Sequence, residues 1–260
     1  MHSNNFLLLS DIPQIYAITG RLRSFMSLQD LTQHFNDLLK QQQESLPHLP
    51  NTYFYWRDGE FFARFGSQNF GNQFIPIVAA ADKKIIGYES RLWVRTALGS
   101  AIPVDDVFDA LTNLDEVVFL DRITRTLQAL NFSVWAEHGG SLLSLGIQPR
   151  HILGVASGHG RTFDTILGDC GLATAKVVLH TSIPAPEHYA HFRRALFSYS
   201  AFGYRVGVSI QTAEDWQRYR DWNLTADYLL LQADVPLLHD SAAGPQIIRQ
   251  VPTGYELGIS

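Results

Sequence analysis

Apolar positions near the start of the chain recur with a helical period. Over residues 27–46, Leu28, Leu31, Phe35, Leu38 and Leu39 make one stripe, the spacing of an amphipathic helix with one buried face. Ser27 stands where an N-cap belongs, and Asp30 places negative charge at the positive end of the helix dipole. Pro47 and Pro50 end the helix. The period then shortens and turns aromatic: Tyr53-Phe54-Tyr55-Trp56 and Glu60-Phe61-Phe62-Ala63-Arg64-Phe65 flank Arg57-Asp58-Gly59. Asp-Gly between two such runs predicts a β-hairpin, since Gly accepts the positive φ of the turn. A hairpin this aromatic must bury a face. That face meets either the N-terminal helix and the main domain, or a protein partner.

After the polar, glycine-bearing stretch 66–73 the pattern becomes strand followed by helix, repeatedly. Residues 74–78 and 85–89 read as strands around the turn Asp82-Lys83-Lys84. Helices are predicted near 104–114, behind Pro103, and over 119–131, where Phe119, Leu120, Ile123, Leu127 and Leu130 share a face. Further apolar runs at 141–147, 176–179, 204–210 and 228–231 alternate with helical segments near 160–168, 187–200 and 213–222. Short apolar strands alternating with helices predict a mainly parallel α/β fold, of which an incomplete barrel is one version. The expected division is a helix-and-hairpin extension over 1–70 and an α/β domain over 71–260.

Composition narrows this picture only slightly. Hydrophobic residues at 46% and charged residues at 17% are an ordinary globular balance. Lys plus Arg number 20 against 25 Asp plus Glu, a formal charge of -5, so no basic face and no nucleic-acid partner are expected. Cys170 is the single cysteine, which excludes an intrachain disulfide and a cysteine-rich zinc site and fits a reducing cytoplasm. The apolar run Phe6–Leu9 is too short to span a bilayer and lacks the flanks of a secretion signal. The expectation is a soluble, cytoplasmic protein with no membrane association.

Residues 73–95, QFIPIVAAADKKIIGYESRLWVR, carry a family resemblance. They resemble the opening of the bacterial EAL-domain family of cyclic di-GMP phosphodiesterases, in which a Phe-Gln-Pro-Ile-Val strand leads to Gly-x-Glu-Ala-Leu-Leu-Arg-Trp-Arg. Phe74, Pro76, Ile77 and Val78 match the strand; Gly87, Glu89, Leu92 and Arg95 match the signature. Ala101–Asp106 is similar to the turn before the family's first long helix, and Leu120-Asp121-Arg122 to its Leu-Asp-Arg helix start. LSLGIQPRHI at 143–152, AFGYRVGV at 201–208 and ADYLLL at 226–231 are similar to its third, fifth and sixth strands. The resemblance implies a TIM-type barrel whose strand ends hold magnesium or manganese ions that activate water against a phosphodiester.

Such cations need converging oxygen ligands, and here the resemblance departs from the family. Glu89 and Arg95 keep family-matching positions. The third-strand asparagine corresponds to Gly146, the fourth-strand glutamate to His180, and the paired fifth-strand aspartates to Ser209 and Ile210. The sixth-strand lysine and aspartate correspond to Leu230 and Gln232, the early glutamine to Ile75, and the phosphate-binding arginine to Trp93. One carboxylate cannot hold two cations, so no catalytic residue, no metal and no cofactor are expected, and the chain is expected not to be an enzyme. Trp93 also argues against cyclic di-GMP binding.

From Gln73 onward the chain is shorter than the ~250 residues typical of an eight-fold barrel. Only residues 239–260 follow the sixth strand, and Gly254-Tyr255-Glu256-Leu257-Gly258 resembles the family's last strand, which implies deletion of the unit between. An open barrel would leave strand edges to be covered by the N-terminal segment, by self-association or by a protein partner. The sequence therefore predicts a degenerate, non-catalytic EAL-like regulator acting through protein–protein interaction in bacterial signalling. A receptor that keeps cyclic di-GMP without cutting it is the alternative, and altered activity around Glu89 and His180 a third.

Three other features read as ordinary structure. Glu187, His188 and His191 lie on one helical stretch without a further ligand. The loop Gly154–Arg161 has the glycines of a phosphate loop but not its Lys and Ser/Thr. His180 with Ser182 nearby, Ser157 and Cys170 show no nucleophile context in the sequence.

Overall fold

The computed structural model describes residues 27–135, 140–232, 245–251 and 254–258; the run Phe6–Leu9 lies outside them. Helix α1 spans Leu28–Ser45 and opens on a capping box: the Asp30 amide donates to Ser27 Oγ, and the Ser27 amide donates to Asp30 Oδ2, both at 3.1 Å. Strands β1 (Thr52–Arg57) and β2 (Glu60–Phe65) form the predicted hairpin, with Asp58 and Gly59 both at positive φ.

The hairpin is buried against α1 and the long helix α3 (Leu114–Val134). Phe54, Phe61, Ala63 and Phe65 join the main core cluster with Phe35 and Leu39. Two asparagines clamp its backbone. Asn36 accepts from the Phe54 amide at 2.7 Å and donates to its carbonyl at 2.9 Å. Asn131 does the same for Phe61, at 2.7 and 2.9 Å. Each side-chain amide thus acts as a further strand, satisfying polar groups that would otherwise be orphaned.

Strand β3 (Gln68–Ala79) runs straight through the boundary expected at residues 70 and 71, pairing antiparallel with β2 at one end and with β4 (Ile85–Thr96) along its length. After the short strand β5 (Ala101–Ile102) and helix α2 (Val104–Asp109), α3 leads into a run of strand–helix units. These are β6 (Leu142–Gly146), α4 (Pro149–Gly154), α5 (Arg161–Asp169), β7 (Val177–Ser182), α6 (Tyr189–Ala201), β8 (Arg205–Ile210), α7 (Ala213–Asp221) and β9 (Tyr228–Leu231). Strands β4, β6, β7, β8 and β9 pair in parallel in that order.

The C-terminus departs from an all-parallel barrel, as expected, yet leaves no open edge. Strand β10 (Gln246–Val251) continues the parallel sheet beside β9, and β11 (Gly254–Gly258) turns back antiparallel to it and pairs with β3. Because β3 also pairs with β4, the order β3-β4-β6-β7-β8-β9-β10-β11 returns to its start as a closed eight-stranded barrel. The open edges expected from the short chain, and the argument for self-association built on them, are therefore corrected. A parallel crossover needs a dozen or more residues, whereas an antiparallel pair needs as few as two; β10 and β11 close the circle with two residues between them. Ile77, Val178, Tyr228, Leu230, Ile248 and Tyr255 fill the barrel interior, while the larger core lies between the barrel and its helices.

Candidate functional site

Residues paired across parallel strands share a face, and alternate residues along each strand point into the barrel. The pairings Glu89–Ser144, Gly146–His180, His180–Gly207 and Ser182–Ser209 therefore bring Glu89, Gly146, His180 and Ser209 to one interior face near the C-terminal strand ends. There they line a cavity of about 480 Å³ together with Arg91, Ser182, Gln211 and groups on α2 and α3. Four of the positions matched to the family's site thus converge.

What converges is a hydrogen-bonded chain. His180 Nε2 lies 3.0 Å from Glu89 Oε1, and His180 Nδ1 lies 3.0 Å from Ser209 Oγ. An ionised carboxylate only accepts, so Nε2 carries the proton and Nδ1 is left to accept from the Ser209 hydroxyl. One glycine makes this arrangement fit. A Cβ on Gly207 would come within 2.7 Å of His180 Cβ and 2.9 Å of Leu230 Cδ1. Gly146, on β6 between β7 and β4, would bring a Cβ only into ordinary contact with His180 Cε1, at 3.5 Å. Glu89 Oε2 and the neighbouring Ser144 hydroxyl are buried without a partner.

The remaining matched positions stay out of this chain. Arg95 donates to the Gly99 carbonyl at 3.0 Å and stacks over Trp93, whose indole lies where a Cβ on Gly71 would be. Leu230 and Ile75 belong to the apolar filling of the barrel, Ile210 is buried among the helices, and Gln232 is exposed. A divalent cation of the hard kind fits the converging matched positions poorly. Of Glu89, Gly146, His180 and Ser209 only Glu89 offers a carboxylate, and it is held by an imidazole, while Asp121 in the same cavity is taken up by Arg125 and the Gln148 amide. Among the described residues no group of three or more His, Cys, Asp or Glu side chains could hold a metal ion.

A second polar cluster lies at the helix side of the same cavity, and sequence reasoning missed it. Asp121, which opened the Leu-Asp-Arg match, receives Arg125 Nε at 2.9 Å and Nη2 at 2.6 Å, and its Oδ1 accepts from the Gln148 amide at 2.9 Å. His151 Nδ1 is 3.0 Å from Asp121 Oδ2, though not aligned as a hydrogen bond. Burial would raise the Asp121 carboxyl, but Arg125 and His151 hold it well below the usual carboxylate range. Burial pushes His151 down against the pull of Asp121 and pushes His159 down to about 4. His159 comes from the glycine loop weighed as a phosphate cradle, and its ring is packed on His191 and Tyr199. His191 in turn bonds the Ile152 carbonyl at 2.8 Å, a structural role. Cys170 is buried and Ser157 is exposed.

No protein-family model matches the chain, and no curated relative matches its sequence. Solved structures do match its shape. A standalone EAL protein from Vibrio cholerae O395, in its cyclic di-GMP-bound form, superposes with a TM-score of 0.50 at 16% identity, over 62% of this chain and 65% of that one. The BlrP1 protein of Klebsiella pneumoniae, in a manganese and cyclic di-GMP complex at pH 6, gives a TM-score of 0.52 at 14% identity, over 75% of this chain and 50% of that one. The fold is that of the EAL barrels.

This chain thus spans about two thirds and half of the length of those two EAL proteins. Their bound ligand overturns one expectation. The replacement at Trp93 had argued against cyclic di-GMP binding, yet both matched EAL structures hold cyclic di-GMP, and Trp93 stacks at Gly71. One residue at that position is no ground for excluding the ligand. No helix among the described residues is long and apolar enough to cross a membrane.

Proposed function

We propose that this chain is a regulatory EAL-like barrel in bacterial signalling, one that does not hydrolyse phosphodiesters through metal-activated water and that acts on a protein partner. The observation that carries this reading is the bond between His180 and Glu89. The one carboxylate that matches the family's ligand set is engaged by an imidazole standing where the family has a second carboxylate. Bound divalent ions make water nucleophilic near neutral pH, and among the matched positions that converge here only Glu89 carries a carboxylate. Activity assays with cyclic di-GMP and manganese test it: no turnover above the protein-free rate is expected. Manganese-dependent hydrolysis that Glu89→Ala abolishes would sink the proposal.

A second reading rests on the cavity. At about 480 Å³, placed at the strand ends of a fold whose matched structures hold cyclic di-GMP, it has room for a nucleotide-sized ligand. Calorimetry with cyclic di-GMP separates the two readings. Micromolar binding without hydrolysis makes the barrel a receptor whose occupancy its partner senses. Absence of binding, with reproducible recovery of one partner from the native host, leaves protein contact as the signal.

A further inference from the structure

Glu89, His180 and Ser209 have the connectivity of an acid, a base and a nucleophile. We infer that they form a metal-free nucleophilic site in the strand-end cavity, able to cleave short-chain carboxylic esters through an acyl-serine intermediate. The reading is independent of the regulatory role above, which concerns metal chemistry at the same mouth.

Three observations carry it. With Glu89 ionised and the imidazole neutral, Glu89 accepts from Nε2–H and the Nδ1 lone pair faces the Ser209 hydroxyl at 3.0 Å. Ser209, His180 and Glu89 all line the open cavity, and Glu89 is the most enclosed of the three, with only 6% of its surface exposed. In a triad of this kind the nucleophile meets substrate and the enclosed acid orients the base. Last, Gly207, where a Cβ would fall 2.7 Å from His180 Cβ, leaves the room in which the imidazole sits between Ser209 and Glu89. The nitrogens are exchanged relative to the familiar serine-hydrolase arrangement, but either nitrogen can serve provided the other is held by the acid.

The step balances without an added cofactor. The Ser209 Oγ lone pair bonds to the ester carbonyl carbon, the hydroxyl proton passes to His180 Nδ1, and the carbonyl π pair moves onto oxygen. Collapse of the tetrahedral adduct breaks the carbon–alkoxy bond, and the departing oxygen takes the Nδ1 proton and leaves as an alcohol. Water then attacks the acyl-serine by the same route, giving a carboxylic acid and restoring the Ser209 hydroxyl. The developing oxyanion needs a donor. Arg91 lines the same cavity, and its guanidinium has more N–H groups than the two it gives to the Tyr255 hydroxyl. Glu89 acts only through His180 and is a positioning residue.

The test uses the full chain. Incubation with a fluorophosphonate probe, followed by peptide mass mapping, should place one covalent label on Ser209. Hydrolysis of p-nitrophenyl acetate should fall by at least about 100-fold in Ser209→Ala and in His180→Ala. Glu89→Gln should lower kcat while leaving KM within about twofold, the split expected when an orienting group rather than a binding group is lost. Gly146→Leu, which alters none of the three residues chemically, should abolish labelling by crowding the His180 imidazole. Absence of a label at Ser209 in the unaltered protein overturns the inference, and so does turnover that survives Ser209→Ala. Because the mapping needs no substitution, a variant that fails to fold does not remove the test. Failure here would leave the proposed regulatory function standing.

Discussion

Two buried carboxylates border the same cavity and are treated in opposite ways. Asp121, on the helix side, has its oxygens occupied by a guanidinium and a backbone amide, with an imidazole close by. Glu89, in the barrel mouth, has one imidazole partner and one oxygen with none. A saturated buried charge locks packing in place, because removing any member strands the rest in a low dielectric. An unsaturated one keeps interaction capacity in reserve, and such exceptions gather at functional sites. The helix-side cluster ties α3 to the loop that leaves β6.

The contrast can be broken experimentally. Asp121→Asn should show the largest effect, a loss of about 3–5 kcal/mol, since it leaves Arg125 buried without its counter-charge; urea denaturation of the variant measures it. Gly207→Ala should follow at about 1–3 kcal/mol, because the new methyl group collides with His180 and Leu230, and the same titration would detect it. If Gly207→Ala proved as costly as Asp121→Asn, the mouth would be as rigidly built as the cluster.

A pH effect on stability is expected from His159, on the helix side. Burial lowers His159 to about 4 from an ordinary 6.5. The unfolded chain takes up a proton near 6.5 that the folded chain resists until about 4, so the unfolded state binds more protons across that window. The associated stability is complete above that range and declines as pH falls through it. Denaturation midpoints measured between pH 7 and 4 should show this decline, and His159→Phe should flatten it. Glu89→Gln, by contrast, keeps the shape and one acceptor for His180, and should cost no more than about 1 kcal/mol. Ser209→Ala should be smallest, within about 0.5 kcal/mol, as it removes a hydroxyl at a cavity wall. Thermal melts of both variants check this pair, and a large loss in either would make the mouth structural.

Much of the fold was legible because local chemistry and global structure agree. The helix over residues 27–46, the Asp-Gly hairpin and the strand runs ending at 231 all appear close to where period and punctuation put them. The hairpin's partner was not legible: Asn36 and Asn131 look like ordinary polar positions until their amides are seen pairing with Phe54 and Phe61. The site was half legible. Glu89 could be matched as retained, and Gly146, His180 and Ser209 only as losses, because a resemblance records what is missing and not what the replacements do together.

Sequence by itself determined the α/β alternation, the apolar faces and the residue types that stand at the matched positions. These follow from residue type and from spacing along the chain. Tertiary structure alone decided that the barrel closes, since strand pairing between β11 and β3 joins residues far apart in sequence and is invisible to any local pattern. It also decided that Glu89, His180 and Ser209 meet. They come from three strands, and their contact depends on register and on Gly207, paired with His180, leaving room for the imidazole.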